Sequence, residues 1–454
     1  MTPQEYIDAH FEEYLEEIMK IARIPSISPI PGYEQNIRDC AEAVRSLMEK
    51  CGISAYVCPS PTGKGSPIVY GKTPYVEGAP GYIIYGHYDV QPEGDHRLWE
   101  SDPFEPTRRN GRIYARGIGD NKGQILSHVI GYDACRKTIG LPHLNLTYLI
   151  EGEEESGSHV LKEFILSHKD DLLSGNIATM FSDTSMNSFG DPLIVLAIKG
   201  ITAVHLTVKG PDVPVHSMWS SEMESPVWAL TRVLDGMKDA DGHVRIKGFY
   251  DDTIGPDEHE LALIDELPDE RKYWADTWHD PAFKADSRTK REFYERYMFE
   301  TTMNIGCIYA GNPDGSKNIV PDQAEAWIDI RLARGAQPEH MIRVVQNYLD
   351  SCHVPGLTAE FTGIPAGYSP LDHPCIPPVK EALEEAFGRK AFIYSGQGGS
   401  GPFYLFNDVL KAPVIQFPFA DSQQHDHGYN ESVPEDILRK GMKTVSILIG
   451  KLSR

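Results

Sequence analysis

No apolar run in the chain approaches the ~18 residues that a membrane span needs. Low-complexity tracts and internal repeats are also missing. Positive charge is in short supply: 43 Lys and Arg stand against 66 Asp and Glu, a formal net charge of −23. Such a balance argues against nucleic acid or an anionic membrane surface as a partner. Paired thiols are absent, because the seven cysteines (Cys40, Cys51, Cys58, Cys135, Cys307, Cys352 and Cys375) form no CxxC. A dispersed, odd set reads as reduced thiols, not as a disulfide frame or a thiolate zinc site. The opening "MTPQEYIDAHFEEYLEE" is acidic and amphipathic and so does not read as a signal peptide. The expectation is a cytoplasmic protein.

What is present is a globular composition, 41% hydrophobic and 24% charged, over 454 residues. That length is too great for one compact core, so two domains are expected. Residues 3–22 pattern as an amphipathic helix and residues 37–52 as a second one that stops at Gly52. "GYIIYGHYDV", "LNLTYLIE" and "ATMFSD" read as strands that alternate with helical stretches, among them one over 158–173 with Ser158 as its N-cap. Alternation of this kind predicts an α/β sheet covered by helices on both faces. Near residue 193 the texture changes to long strands around two helices, the pattern of an antiparallel α+β unit. From about 368 the α/β pattern resumes and closes with a helix over 435–452. The predicted arrangement is a catalytic domain in two parts, 1–192 and 368–454, with an inserted lid or dimerisation domain over 193–367.

Chemistry concentrates at the predicted strand ends. "GHYDV" sets His87 and Asp89 on one face of an extended chain, the arrangement of a metal ligand and its orienting carboxylate, or of an ordinary polar turn. Asp120 sits in the glycine-bracketed turn "ARGIGDNKGQ", as a displayed carboxylate or as a helix cap. "EGEEESGS" crowds Glu151, Glu153, Glu154 and Glu155, Asp183 ends "MFSD", and "QQHDHGYNES" carries His425 and His427. Taken together these are nitrogen and oxygen donors without a thiolate, a set suited to a pair of Zn²⁺-like ions sharing a carboxylate ~3.5–4 Å apart. A competing feature is Gly396-x-Gly398-x-x-Gly401, which on paper is a dinucleotide fingerprint and would make an oxidoreductase. Pro402 and Asn407 leave room there for only a short helix, so the glycines read better as a close backbone approach to a ligand.

In order, "YGHYDVQP", "WESDPFEPTRRNGRIYARGIGDNKG", "EGEEESGS", "FSD", "HSMWSS", "NIVPDQAEAWIDIRL", "GGSGP" and "HGYNE" resemble the M20 family of metallopeptidases, with "RIKGFYDD" most similar to its carnosinase-type dipeptidases. The resemblance implies two Zn²⁺ per subunit, with Mn²⁺ or Co²⁺ as alternatives, and a homodimer formed through the inserted domain. It implies His87, Asp120 and Asp183 as ligands of one metal and Asp120, Glu155 and His427 as ligands of the other. His427 is chosen over His425 because the family's ligand lies three residues before "NE". Asp89 would orient His87, and Glu154 would be the general base acting on a water shared by the metals. His216 would reach the partner subunit's site to stabilise the oxyanion. Arg331 would grip a substrate carboxylate, and Asn318, Gly399 and Ser400 match substrate-contacting positions. The family's peptide after the bridging acid, here Asp120–Asn121, is commonly cis. Glu153 departs from the pattern, which has an apolar residue there. The implied substrate is a dipeptide or small peptide with a free carboxylate, or alternatively an N-acyl amino acid.

Overall fold

The computed structural model describes every residue except 174, 281–282, 284–286, 313 and 454. Its largest element is an eight-stranded mixed sheet in the order Ser54–Cys58, Ile68–Lys72, Asn145–Glu151, Gly81–His87, Asn176–Phe181, Val414–Gln416, Leu193–Val195 and Phe392–Tyr394. The central strands run parallel: Asn145–Glu151, Gly81–His87, Asn176–Phe181 and Val414–Gln416. All seven residues of Gly81–His87 are buried, as a strand covered on both faces must be. One face is covered by the helices Gly123–Ile139 and Glu435–Leu452. At Gly131 a Cβ would come within 2.6 Å of Val445, so glycine is what lets these two helices lie against each other.

A second sheet is antiparallel, in the order Thr302–Ala310, Gln323–Leu332, Gly200–Lys209 and Leu357–Ile364. Burial alternates residue by residue along Gly200–Lys209 and Gln323–Leu332, because one face meets a core and the other does not. The helices Pro226–Met237 and Pro338–Ser351 supply that core through Leu230, Val233, Met341 and Val345. The opposite face carries exposed Tyr309 and Trp327, whereas Ile305 and Ile308 are exposed on the edge strand across from buried Ile328 and Ala326.

Two features lie closer to the large sheet than their place in the chain suggests. Leu193–Val195 is itself one of its strands. Ile264, Leu267, Tyr294, Met298 and Phe299, from the helical stretch between the two sheets' strands, pack with Tyr394 and Phe403 against the large sheet's second core. Two local expectations are corrected. Residues 3–22 form two helices, Pro3–Ala9 and Phe11–Ala22, separated at His10. Ser158 does not cap the following helix; its φ is +53°, and its hydroxyl donates to Glu151 Oε1 at 2.8 Å. The N–H of Val160, which such a cap would accept, donates instead to Glu153 Oε2.

Candidate metal centre

The parallel strands bring their C-terminal ends to one edge, where ligands of open α/β sheets gather. His87 ends Gly81–His87 in register with Glu151, and Asp183 follows Asn176–Phe181 by two residues. His87 is fully buried, with Nδ1 at 3.3 Å from Asp89 Oδ1. Its Nε2 faces Asp120 Oδ1 at 3.1 Å and Asp183 Oδ2 at 3.9 Å, yet has no hydrogen-bond partner. A ring held at one nitrogen and presenting the other to acids is arranged as a metal ligand.

Asp120 reaches both ways. Its Oδ2 lies 3.2 Å from His427 Nε2, which is in turn 3.1 Å from Glu155 Oε2. Two triads result, His87–Asp120–Asp183 and Asp120–Glu155–His427, each with ligand atoms within 4.8 Å of one another. Glu154 belongs to neither. His425 is also outside them, so the histidine three residues before Asn430 is the one brought in. The Asp120–Asn121 peptide is cis. Asn121 is buried, accepting from His87 N at 3.3 Å and donating to the Ser182 carbonyl at 2.5 Å.

The electrostatics of this cluster are those of converging buried acids. Burial, reinforced by the charges of Glu155, Asp183 and Asp120 against the opposing pull of His87, pushes Glu154 well above the usual carboxylate range. Burial and then the charge of Asp120 push Asp183 up to about 7. Hydrogen bonds to Asp120 and Glu155 push His427 up to about 11. Four acids converging on two imidazoles is a charge distribution that divalent cations would neutralise. The all-N/O donor set suits Zn²⁺, Mn²⁺ or Co²⁺, so the residues present fit a pair of such ions.

The glutamate run divides cleanly. Glu151 finishes its strand and accepts from Tyr85 Oη at 2.6 Å, and burial pushes it up to about 8. Glu153 turns away from the cluster: Oε1 accepts from Ser66 N at 2.6 Å and Oε2 from Val160 N at 3.2 Å. It therefore caps the start of the helix His159–Ser167 in the role expected of Ser158, and ties that helix to the 60–66 loop. Glu153→Ala is expected to cost about 0.5–2 kcal/mol of stability, as the loss of a cap does. Metal content should not change; measured loss of metal would place Glu153 at the cluster after all. Asp89 does more than hold His87, because its Oδ1 accepts from Glu154 N at 3.2 Å and its Oδ2 from Glu155 N at 3.1 Å. One carboxylate thus sets both an imidazole and the backbone of the two adjacent glutamates.

The remaining predicted residues fall into two groups. Arg331 Nη1 donates to Ser400 Oγ at 3.0 Å, and that hydroxyl donates to the Gly200 carbonyl at 3.1 Å. Gly399 accepts from Lys199 N at 2.9 Å, and a Cβ on Gly401 would stand 3.8 Å from Glu154 Oε1. The glycine-rich loop is therefore beside Glu154, and the strand Phe392–Tyr394 before it is followed only by the short turn Leu405–Val409. His216 and Asn318 lie elsewhere, at the small antiparallel ladder that pairs His216 with Ile319. Among the described residues, no hydrogen bond or ion pair joins either to the metal cluster.

Sequence reasoning used Asn430-Glu431 only to choose between histidines, and so missed Glu431 itself. Glu431 is fully buried, and its carboxylate accepts from Gly117 N at 2.8 Å, Gly119 N at 2.9 Å, Asp120 N at 3.1 Å and Arg116 Nη1 at 2.7 Å. Arg116 also donates to the Gly428 carbonyl at 2.8 Å. The pair clamps the Asp120 turn to the loop that carries His427. A glutamate next to a ligand motif, matched with a turn of closely spaced glycines, was the available signal.

The sequence profile of peptidase family M20/M25/M40 matches residues 83–451. The human Beta-Ala-His dipeptidase is 24% identical over 451 residues, covering 94% of this chain and 88% of that one. The Cys-Gly metallodipeptidase dug1 of Schizosaccharomyces pombe is 24% identical over 474 residues, covering 99% and 97%. The crystal structure of an M20 family metallo-carboxypeptidase from Sulfolobus solfataricus superposes with a TM-score of 0.89 at 25% identity, covering 97% of this chain and 99% of that one. Residues, geometry and kinship agree: this chain belongs to peptidase family M20/M25/M40.

Proposed function

We propose that the protein is a metal-dependent dipeptidase whose substrates end in a free carboxylate. One observation carries the reading: two ligand triads share Asp120, and Glu154 stands beside them as a carboxylate that binds in neither. We assign two Zn²⁺ to the triads, with Mn²⁺ and Co²⁺ as chemically acceptable substitutes. Two such cations would supply acidification of a bound water, toward a pKa of ~7, and polarisation of the scissile carbonyl. Glu154 would accept the water's proton and return it to the leaving amine. Asp89 keeps His87 and the Glu154–Glu155 backbone in register while this happens. Arg331, set against Ser400, pairs with the substrate carboxylate through two parallel hydrogen bonds.

We assign the sheet of Gly200–Lys209, Thr302–Ala310, Gln323–Leu332 and Leu357–Ile364 to dimerisation. Its edge strand Thr302–Ala310 exposes Ile305 and Ile308 on one side and Tyr309 on the other, beside exposed Trp327, an apolar edge of the kind that mediates association. In the dimer His216 would donate to the oxyanion in the partner's site, a contribution typically worth about 2.7–4 kcal/mol.

The test is a metal-loaded enzyme assayed on a panel of dipeptides and N-acyl amino acids, before and after chelation. Dipeptide hydrolysis abolished by chelation and restored by Zn²⁺, Mn²⁺ or Co²⁺ is expected, together with the solution mass of a dimer. Hydrolysis confined to N-acyl amino acids would replace dipeptidase by amidohydrolase, and a fully active monomer would remove His216 from the chemistry.

A further inference from the structure

Beside the metal cluster lies a cavity of about 1270 Å³, larger than the ~300–1,000 Å³ usual for a small-molecule site. Its inner rim includes Thr184, which follows the ligand Asp183, and Asp426, which precedes the ligand His427. Gln397 of the glycine-rich loop closes the rim by donating to Thr184 Oγ1 at 2.8 Å. Arg331 and Ser400 are not part of the wall. If the substrate's carboxylate is held by Arg331, as the proposed function has it, the amine-side residue of the substrate lies toward this cavity.

The wall is aromatic, formed by Tyr273, Trp274, Trp278, Tyr294 and Tyr297. Trp274 and Trp278 stack at 5.0 Å on the helix Arg271–Trp278, which buries none of its side chains. Tyr273 and Trp274 are half-buried and Trp278 is exposed, so part of the helix's aromatic side stands open to a ligand. Its N-terminal end is fixed by Glu270, which accepts from Ser188 N and from the hydroxyls of Tyr294 and Tyr394. The far side is tied to the loop before His427 by Tyr273 Oη and Ser422 Oγ at 3.0 Å. Charges in the wall are mostly answered within the protein: Arg112 by Asp421, Arg296 by Glu300, and Lys238 by the Met303 carbonyl. Arg288 lines the cavity together with the acids Glu100, Glu270, Glu300 and Asp426, and the charges of Glu300 and Glu292 act on it, so the wall carries both signs.

We propose that this cavity is the specificity pocket for the residue on the amine side of the scissile bond, and that it selects an aromatic side chain there. Indole or phenyl rings would stack on Trp274 and Trp278, while glycine would leave the wall unused.

Calorimetric binding to the Zn²⁺-loaded Glu154→Gln protein tests this without turnover. Tryptophanyl-glycine should bind about tenfold more tightly than glycyl-glycine, the order of one good aromatic contact. Lysyl-glycine, which has no ring to stack, should bind less tightly than tryptophanyl-glycine. Adding Trp274→Ala should erase the preference, and adding Trp274→Phe should keep most of it; Trp278→Ala gives an independent reading from the same helix. Equal affinities for the three dipeptides, or a preference untouched by both alanine variants, would overturn the assignment. So would loss of the dimer in Trp274→Ala, which would show that a partner subunit covers the wall. Because binding is read in a turnover-deficient protein, failure of the wild type to hydrolyse dipeptides would strike the proposed function and not the pocket.

Discussion

Glu154→Gln should lower kcat by about 10²–10⁴-fold, the usual contribution of a positioned general base, while two metal ions per subunit are retained. The geometry behind this is the separation of roles between neighbours in sequence. Glu155 Oε2 points at His427 and Asp120, whereas Glu154 stands outside both triads and faces the glycine-rich loop at Gly401. Glutamine keeps the size and the backbone hydrogen bond to Asp89 but cannot accept and return a proton. Glu155→Ala is the matched opposite: it should cost metal, with activity falling as a consequence. Elemental analysis beside steady-state kinetics separates the two. Near-wild-type kcat in Glu154→Gln would end the assignment of Glu154 as base, and metal loss in that variant would make it a ligand.

The second large effect is expected at a residue that touches no metal. Glu431→Gln removes the charge opposite Arg116, whose side chain is 2% exposed. Breaking a buried pair from one side typically costs about 3–5 kcal/mol. The amide also turns a donor toward a group of donors, the backbone N–H groups of Gly117, Gly119 and Asp120. The Asp120 turn should loosen, and with it the carboxylate common to both triads. Changes to groups that orient ligands typically weaken metal binding about 10–100-fold. Thermal melting of the apoprotein measures the first effect, and metal titration with the absorption spectrum of the Co²⁺-loaded form measures the second. Glu431→Asp, which keeps the charge, should recover part of both. Wild-type metal affinity and Co²⁺ spectrum in a destabilised Glu431→Gln would reduce Glu431 to a structural residue.

Much of the scaffold was legible because it is written in short-range patterns. The terminal helix Glu435–Leu452 and the buried strand Gly81–His87 follow from periodicity and from glycine at their margins. Three donors of the triads, His87, Glu155 and Asp183, stand at or just past strand ends, where α/β sheets expose their chemistry, while Asp120 and His427 come from turns farther along the chain. Three things were not legible. Ser158 has the right residue type for a cap, but capping depends on which acceptor is nearest, and Glu151 and Glu153 came together there through the sheet and the 60–66 loop. Glu431 gains its meaning from a turn more than 300 positions away, and no local pattern encodes that meeting. The aromatic wall was visible as a run of Tyr and Trp between residues 239 and 300, yet nothing in the run says that it would stand next to Asp183 and His427. Long-range juxtaposition, not local propensity, was the missing information.

Because Asp120 presents one oxygen to His87 and the other to His427, the two triads share a single negative charge. Whatever factor the first cation changes for the second, the second must change for the first, since the coupling free energy belongs to the pair. The affinities of the two positions are therefore not separate constants of the protein. A half-loaded subunit would then be a distinct thermodynamic species and not an average of the empty and full ones.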